Sequence, residues 1–294
     1  MFHAVAEAVR DGFVMLMAGL ALRRIASFPA THGQRLQVAW SDLMVGVTSP
    51  HIWLQLGWHD VKQRYRRSVL GPFWLTASTG VMVVALGMLY SRILNQDATS
   101  YLPYLAVGLV VWQFMATTVA EGCQAFITAE GLIKQLRVPL SVHVFRMLYR
   151  NFIIFLHQAL ILVIVAVLYT NASWTELIAV PLGLVAIVAN LFWLALLLGP
   201  VSARFRDVPL IVQNLVQIAF FVTPILWNPG VLGDRQWIAA WNPAYHLIEL
   251  VRAPILTGVF PVTSWVFVLV MTLVGFLVAV PCYARTRGRI AFWV

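Results

Sequence analysis

Charge is scarce in this chain of 294 residues. Asp, Glu, Lys and Arg make up 11% of it, where a soluble domain carries about 25%. With a hydrophobic fraction of 61% and a mean hydropathy of +0.84, that shortage excludes a soluble globular protein and points to a polytopic membrane protein. Acidic residues are the scarcer kind, 11 against 20 basic ones, for a net charge of +9. Cysteine is nearly missing. Cys123 and Cys282 are too few for a disulfide framework; both are expected near cytoplasmic helix ends as free thiols. No G-x-x-x-x-G-K-[ST] run occurs, so the chain has no phosphate loop with which to bind ATP. His143, His157 and His246 are scattered without metal-ligand spacing. Glu121 and Glu249 have no obvious second carboxylate for acid–base work. No internal repeat is visible, so a symmetric pore would need a second copy and a two-fold axis.

Long apolar runs are what the chain does have. They extend over about Phe73 to Ile93, Tyr101 to Gly122, Val144 to Tyr169, Glu176 to Pro200, Val208 to Trp227 and Pro261 to Tyr283. Each is near the ~20 residues that a spanning helix requires, the fifth being marginal. The expected fold is an all-α membrane protein of six transmembrane helices. Lys and Arg orient it. With the N-terminus inside, eight precede the first span, four lie between spans two and three, two follow span four and three end the chain, seventeen in all. Arg92, Arg235 and Arg252 are left outside. Both termini are therefore expected in the cytoplasm, and the positive charge is explained without nucleic acid.

Four stretches flank or interrupt the spans. Residues 1–50 read as a cytoplasmic extension. Val5, Val9, Phe13, Leu16 and Leu20 form a helical stripe there, and residues 27–37 look like a linker. Residues 51–72 place Leu54, Trp58, Val61 and Tyr65 on one helical face, with Lys62, Arg64, Arg66 and Arg67 crowding its end before Gly71-Pro72. This is either an amphipathic helix lying in the membrane interface or a charge cluster that only sets orientation. Between spans two and three, Thr128 to Pro139 reads as a short cytoplasmic helix with Thr128 as N-cap. Leu132, Ile133 and Leu136 fall on one side of it, and Lys134, Gln135 and Arg137 on another. Its apolar side needs either the membrane surface or a partner protein. From Asn228 to Phe260 the chain is semi-apolar and too broken by Pro229, Pro243 and Pro254 to span, so re-entrant short helices buried in protein are expected between spans five and six. Residues 73–284 then form the membrane domain and 285–294 a cytoplasmic tail.

Four blocks carry a resemblance: HDVKQRYRRSVLGPFW before span one, GLIKQLRVPLSVHVFRM after span two, ARFRDVPLIVQNLVQIAFFVTPILW at span five and WNPAYHLIELVRAPIL after it. Together they resemble ABC-2 type permeases of the polysaccharide-export kind, the membrane subunits for capsule, O-antigen and teichoic acid transporters. The match covers residues 51–283. It implies a bacterial inner-membrane homodimer of six-helix subunits with two copies of a separate ATPase, which binds the ATP and Mg. The chain itself would carry no cofactor and no catalytic residue. The resemblance also implies a path between the two subunits for a polyprenol-linked polysaccharide. Glu130, Leu132, Ile133, Lys134, Leu136 and Arg137 would touch the ATPase.

Candidate substrate residues follow from the aromatics. Sugar rings present apolar faces that aromatic side chains can stack on. Tyr90, Tyr101, Tyr104, Trp112, Phe220, Phe221 and Trp227 lie on or beside spans one, two and five, where they form either a sugar path or an ordinary interfacial belt. His59-Asp60 reads as a solvated or capping pair. His157-Gln158 lies within a span, where polar groups serve either interhelical hydrogen bonding or function. An exporter of drugs or lipids is a second reading. A proton-coupled transporter would have to rely on His157.

Overall fold

The computed structural model describes residues 31–71, 73–136, 138–169 and 177–294, and its regular elements there are all helical. The stripe expected over residues 5–20, Pro72, Arg137 and the start of span four at Glu176 lie outside the described residues. In chain order the helices are α1 (His32–Thr48), α2 (Pro50–Tyr65), α3 (Phe73–Ile93), α4 (Ala98–Gln124), α5 (Glu130–Gln135), α6 (Ser141–Tyr169), α7 (Ala179–Arg204) and α8 (Val208–Val222). A 3-10 helix over Pro229–Arg235 follows, then α9 (Trp237–Ala240), α10 (Pro243–Thr257) and α11 (Val262–Trp293).

Five of these, α3, α4, α6, α7 and α11, are long and apolar enough to cross a membrane. They overlie five of the six expected spans, and α11 runs ten residues past the expected end of its span, to Trp293. The expected fifth span does not reach Trp227. It is the 15-residue α8, which stops at Val222. At 1.5 Å per residue that is about 22 Å, short of a hydrocarbon core of ~30 Å. The cause is local: Thr223 precedes Pro224, whose ring drives the residue before it out of the helical region, and Thr223 is extended at ψ 138°.

The segment read as a linker is in part a helix. Thr31 and Gln34 form a reciprocal capping box that starts α1, and α1 packs on α6 and α11. Gly33 and the polar residues of this stretch suggest a linker by composition, but they are compatible with a helix once its first turn is capped. The short helix between α4 and α6 also starts later than expected. Thr128 does not cap it; its hydroxyl donates to the Gln124 carbonyl, 3.0 Å away, and α5 begins at Glu130.

The central helix is α4, packed between α3, α6, α7, α8 and α10. Close helix approach rests on small residues: a Cβ on Gly122 would lie 3.1 Å from that of Ala195, and one on Gly183 2.9 Å from the Leu250 carbonyl oxygen. The broken stretch after α8 folds as expected into short helices. Asn242 caps α10 with its side-chain oxygen on the amides of Ala244 and Tyr245, Pro243 fills the first turn, and Gly258 ends it at φ 65°. Cys123 and Cys282 are both unpaired.

One buried carboxylate joins three of these helices. Asp42 of α1 is fully buried and accepts hydrogen bonds from the amides of Leu140 and Ser141 at the start of α6. On α11 the Tyr283 hydroxyl donates to it at 3.0 Å and the Arg287 guanidinium at 2.9 Å, with an ion pair at 2.7 Å. Removing one member of a buried ion pair leaves the other uncompensated, at about 3–5 kcal/mol. Asp42→Asn should therefore lower the thermal unfolding midpoint of the detergent-purified protein sharply, and adding Arg287→Met should restore part of the loss.

The helix α2 lies against α6. Gly57 lets it approach, since a Cβ there would lie 2.7 Å from the Tyr149 ring and 3.1 Å from the Arg146 carbonyl. Trp53 donates to the Gly46 carbonyl at 3.0 Å and stacks on Phe145. The face that docks is thus Trp53, Gly57 and Val61, rotated from the expected stripe; Trp58 of that stripe is 46% exposed with Lys62 over its ring. Gly57→Leu should displace α2, and a Cys placed at Val61 should then react with a water-soluble maleimide that leaves it untouched in the otherwise native chain.

Candidate functional site

Two clefts flank the exposed side of α4. The first, of about 320 Å³, opens between α3, α4 and α6, with Arg64 of α2 at its mouth. Its polar floor is a cluster of uncharged side chains. Thr79 donates to the Gln113 Oε1 at 2.9 Å, and the Gln158 amide donates to the same oxygen at 2.8 Å. Asn151 also lines it, buried, with its Oδ1 unpaired. The second cleft, of about 530 Å³, lies between α4 and α8. Gln213 and Gln217, one turn apart on α8, line it with Trp112, Phe220 and Phe221. Trp112 and Phe220 have ring centroids 5.9 Å apart, and Phe220 meets Phe221 edge to face at 5.2 Å. Thr117 of α4 lines both clefts, so they form one continuous face walled by α3 and α8.

Of the aromatic candidates, the structure gathers Trp112, Phe220 and Phe221 and places the others elsewhere. The Tyr101 hydroxyl donates to the Leu226 carbonyl at 2.6 Å, and that of Tyr104 lies 3.1 Å from the carbonyls of Pro224 and Trp227. These two tyrosines hold the turn after α8, with Arg252 stacked 3.9 Å over Tyr104. Trp227 donates to the Phe221 carbonyl, and Tyr90 packs partly buried against the core. Ser78, Thr79, Gln113, Thr117, Gln213 and Gln217 were not singled out from sequence. The available signal was the i, i+4 spacing of polar residues inside apolar helices, Gln113 with Thr117 and Gln213 with Gln217. His157-Gln158 divides. Gln158 makes the interhelical bonds expected of it, while the His157 ring is taken up by the Ile153 carbonyl of its own helix at 2.8 Å and by the edge of Phe73.

At the end of the bundle that carries α2 and α5, charges alternate. Asp60 of α2 pairs with Arg146 and with Arg150 of α6, Arg150 pairs with Glu121 of α4 at 2.6 Å, and Glu121 with Arg64 of α2 at 3.1 Å. Asp60 is therefore an ion-pair member held against the bundle and not a solvated or capping residue; sequence alone could not show that α6 brings two arginines to it. Arg66 and Arg67 lie beyond the last full turn of α2. Tyr65, half-buried beside this group, has its hydroxyl pKa raised, first by burial and then by Glu121, against an opposing effect of Arg64.

The helix α5 splits its apolar residues. Ile133 packs against the core, Leu132 is partly covered and Leu136 is 50% exposed. Lys134 and Glu130 pair along the helix at 2.6 Å, and Lys134 holds the Glu130 carboxyl below its ordinary range. Beside α5, the turn between α7 and α8 meets the end of α11: Arg206 donates to the Trp293 carbonyl, and Arg204 sits over the rings of Phe205 and Trp293.

Comparison with known proteins places this architecture. The profile of the ABC-2 type transporter family matches residues 52–256. Similar proteins include the O-antigen export system permease protein RfbA of Myxococcus xanthus, 26% identical over 199 residues, 66% of this chain and 76% of that protein. A protein of the same name from Klebsiella pneumoniae is 24% identical over 245 residues, 81% of this chain and 88% of its own length. A second from Klebsiella pneumoniae is 24% identical over 211 residues, 70% and 77% of the two chains. The family match covers more than half of the chain, whose described residues hold five membrane-length helices, and this chain belongs to the ABC-2 type transporter family.

Proposed function

We propose that this protein is the membrane-spanning permease of an exporter that moves a polyprenol-linked polysaccharide across the inner membrane, driven by a separate ATPase. The observation that carries the reading is the continuous face formed by the two clefts. It joins hydroxyl and amide side chains to aromatic rings, the pairing that a sugar chain with polar edges and apolar faces requires. The similar proteins named for O-antigen export add to it.

The face is half a path. Its walls α3 and α8 are exposed along much of their length, as at Val81, Met88, Leu215 and Ile218, and no residue of α8 is buried. A second copy facing the first across a two-fold axis would close it. In this arrangement α8 is the sixth crossing element, completed by the turn that Tyr101 and Tyr104 hold, and both chain termini face the cytoplasm. The substrate would enter from the inner leaflet beside α3 and α8. Phe220→Ala and Phe221→Ala should reduce glycan export by the reconstituted complex several-fold while the ATPase still co-purifies. Loss of assembly instead would make these rings packing residues and remove the central observation.

The ATPase would meet α5 and the neighbouring turn at Phe205, and its movement would pass through α2 by way of the alternating charges. Leu136 and the open part of Leu132 are the side chains available to it, and burying one leucine contributes about 1.5–3 kcal/mol. The double change Leu132→Asp and Leu136→Asp should abolish recovery of the ATPase with the permease in detergent, and export with it. Recovery at the native level, with normal export, would eliminate α5 as the contact.

A further inference from the structure

The two clefts share an omission. Arg64, at the mouth and paired with Glu121, is the one ionised side chain on either lining among the described residues. The other polar groups of the two linings are hydroxyls and carboxamides, Thr79, Gln113, Thr117, Gln213 and Gln217 among them. Each can both donate and accept a hydrogen bond. In a low-dielectric surround this distinction decides what can pass. A carboxylate or phosphodiester that leaves water needs a cation or an aligned set of donors at every stop, and anion pores supply rings of Arg or Lys. A neutral sugar hydroxyl needs only exchange of one hydrogen bond for another.

We infer that the polysaccharide this permease carries is uncharged in its repeating unit, with hydroxyl groups and without uronate, phosphodiester or other anionic substituents. The inference rests on the reading of the clefts as half of a sugar path. A phosphate linkage at the lipid-linked end is a different matter, since it crosses once and not with every unit.

The test uses the full chain with its ATPase in nanodiscs and follows tryptophan fluorescence, with Trp112→Phe identifying the part of the signal that comes from the cleft. A dextran oligosaccharide and an oligogalacturonate of matched length are the probes. The dextran should give a saturable, Trp112-dependent change, and the oligogalacturonate should bind roughly tenfold or more weakly. Gln217→Arg should reverse that order. Equal or tighter oligogalacturonate binding to the native protein would overturn the inference while leaving the clefts as a sugar path. An unchanged order in Gln217→Arg would also overturn it, because the charge of the lining would then not set the preference. If neither oligomer gives a Trp112-dependent signal, the sugar-path reading fails and the inference falls with it.

Discussion

Asp60 and Glu121 stand between three guanidinium groups, and the seating of α2 on the bundle depends on that alternation. Arg146, Asp60, Arg150, Glu121 and Arg64 form one chain of charges across α6, α2 and α4. Each carboxylate serves two partners. Dropping either would leave a partly covered guanidinium without a counter-charge, which costs more than the pair itself contributes. The chain also explains why so basic a protein spends two of its few acids at one end. They tie α2 to α4 and α6, two of the helices that line the first cleft.

Farther along the same helices the polar chemistry changes kind. Thr79, Gln113 and Gln158 bond to one another across α3, α4 and α6, and no ionised group takes part. Ionised groups sit where water reaches and uncharged ones sit deeper, as the desolvation of charge in hydrocarbon demands. Two groups depart from this: Asp42, fully buried among its donors on α6 and α11, and, on the opposite end, Arg252, buried at 2% exposure. Arg252 is held by Glu249, by the Pro224 carbonyl and by the face of Tyr104. That arginine and the two tyrosines fix the turn that ends α8, which keeps Phe220 and Phe221 at one height beside Trp112.

Most of the helical plan was legible from hydropathy, because length and composition alone define a membrane-length helix. Where the reading went astray, the cause was short-range or long-range chemistry that periodicity does not register. Thr223 before Pro224 stopped α8 early although the apolar run continued to Trp227. Thr31 and Gln34 started a helix inside a stretch whose composition suggested a linker. The docking face of α2 was missed by part of a turn because Gly57 and Trp53, and not the largest amphipathic stripe, meet Tyr149 and Phe145. At the site, rings were easy to nominate and hard to place: Tyr101 and Tyr104 hold backbone, and their hydroxyl partners lie more than a hundred residues away in sequence. The glutamines of α8 went unnoticed because an isolated amide in an apolar run is ordinary, and only the fold brings Gln213 and Gln217 opposite Thr117.

Asp42 has a consequence for the order in which the chain is assembled. Two of its donors, on Tyr283 and Arg287, lie 241 and 245 residues farther along, and the other two wait at the start of α6. During synthesis the carboxylate is made well before α11 and lacks its cation until that helix has inserted. Its burial thus waits for α11, and it closes only when that helix has arrived with Tyr283 and Arg287 on the same side of the membrane as α1. With α11 misinserted the carboxylate would keep its two amide donors on α6 but lose its cation, so the joint doubles as a check on topology built into the folded state itself.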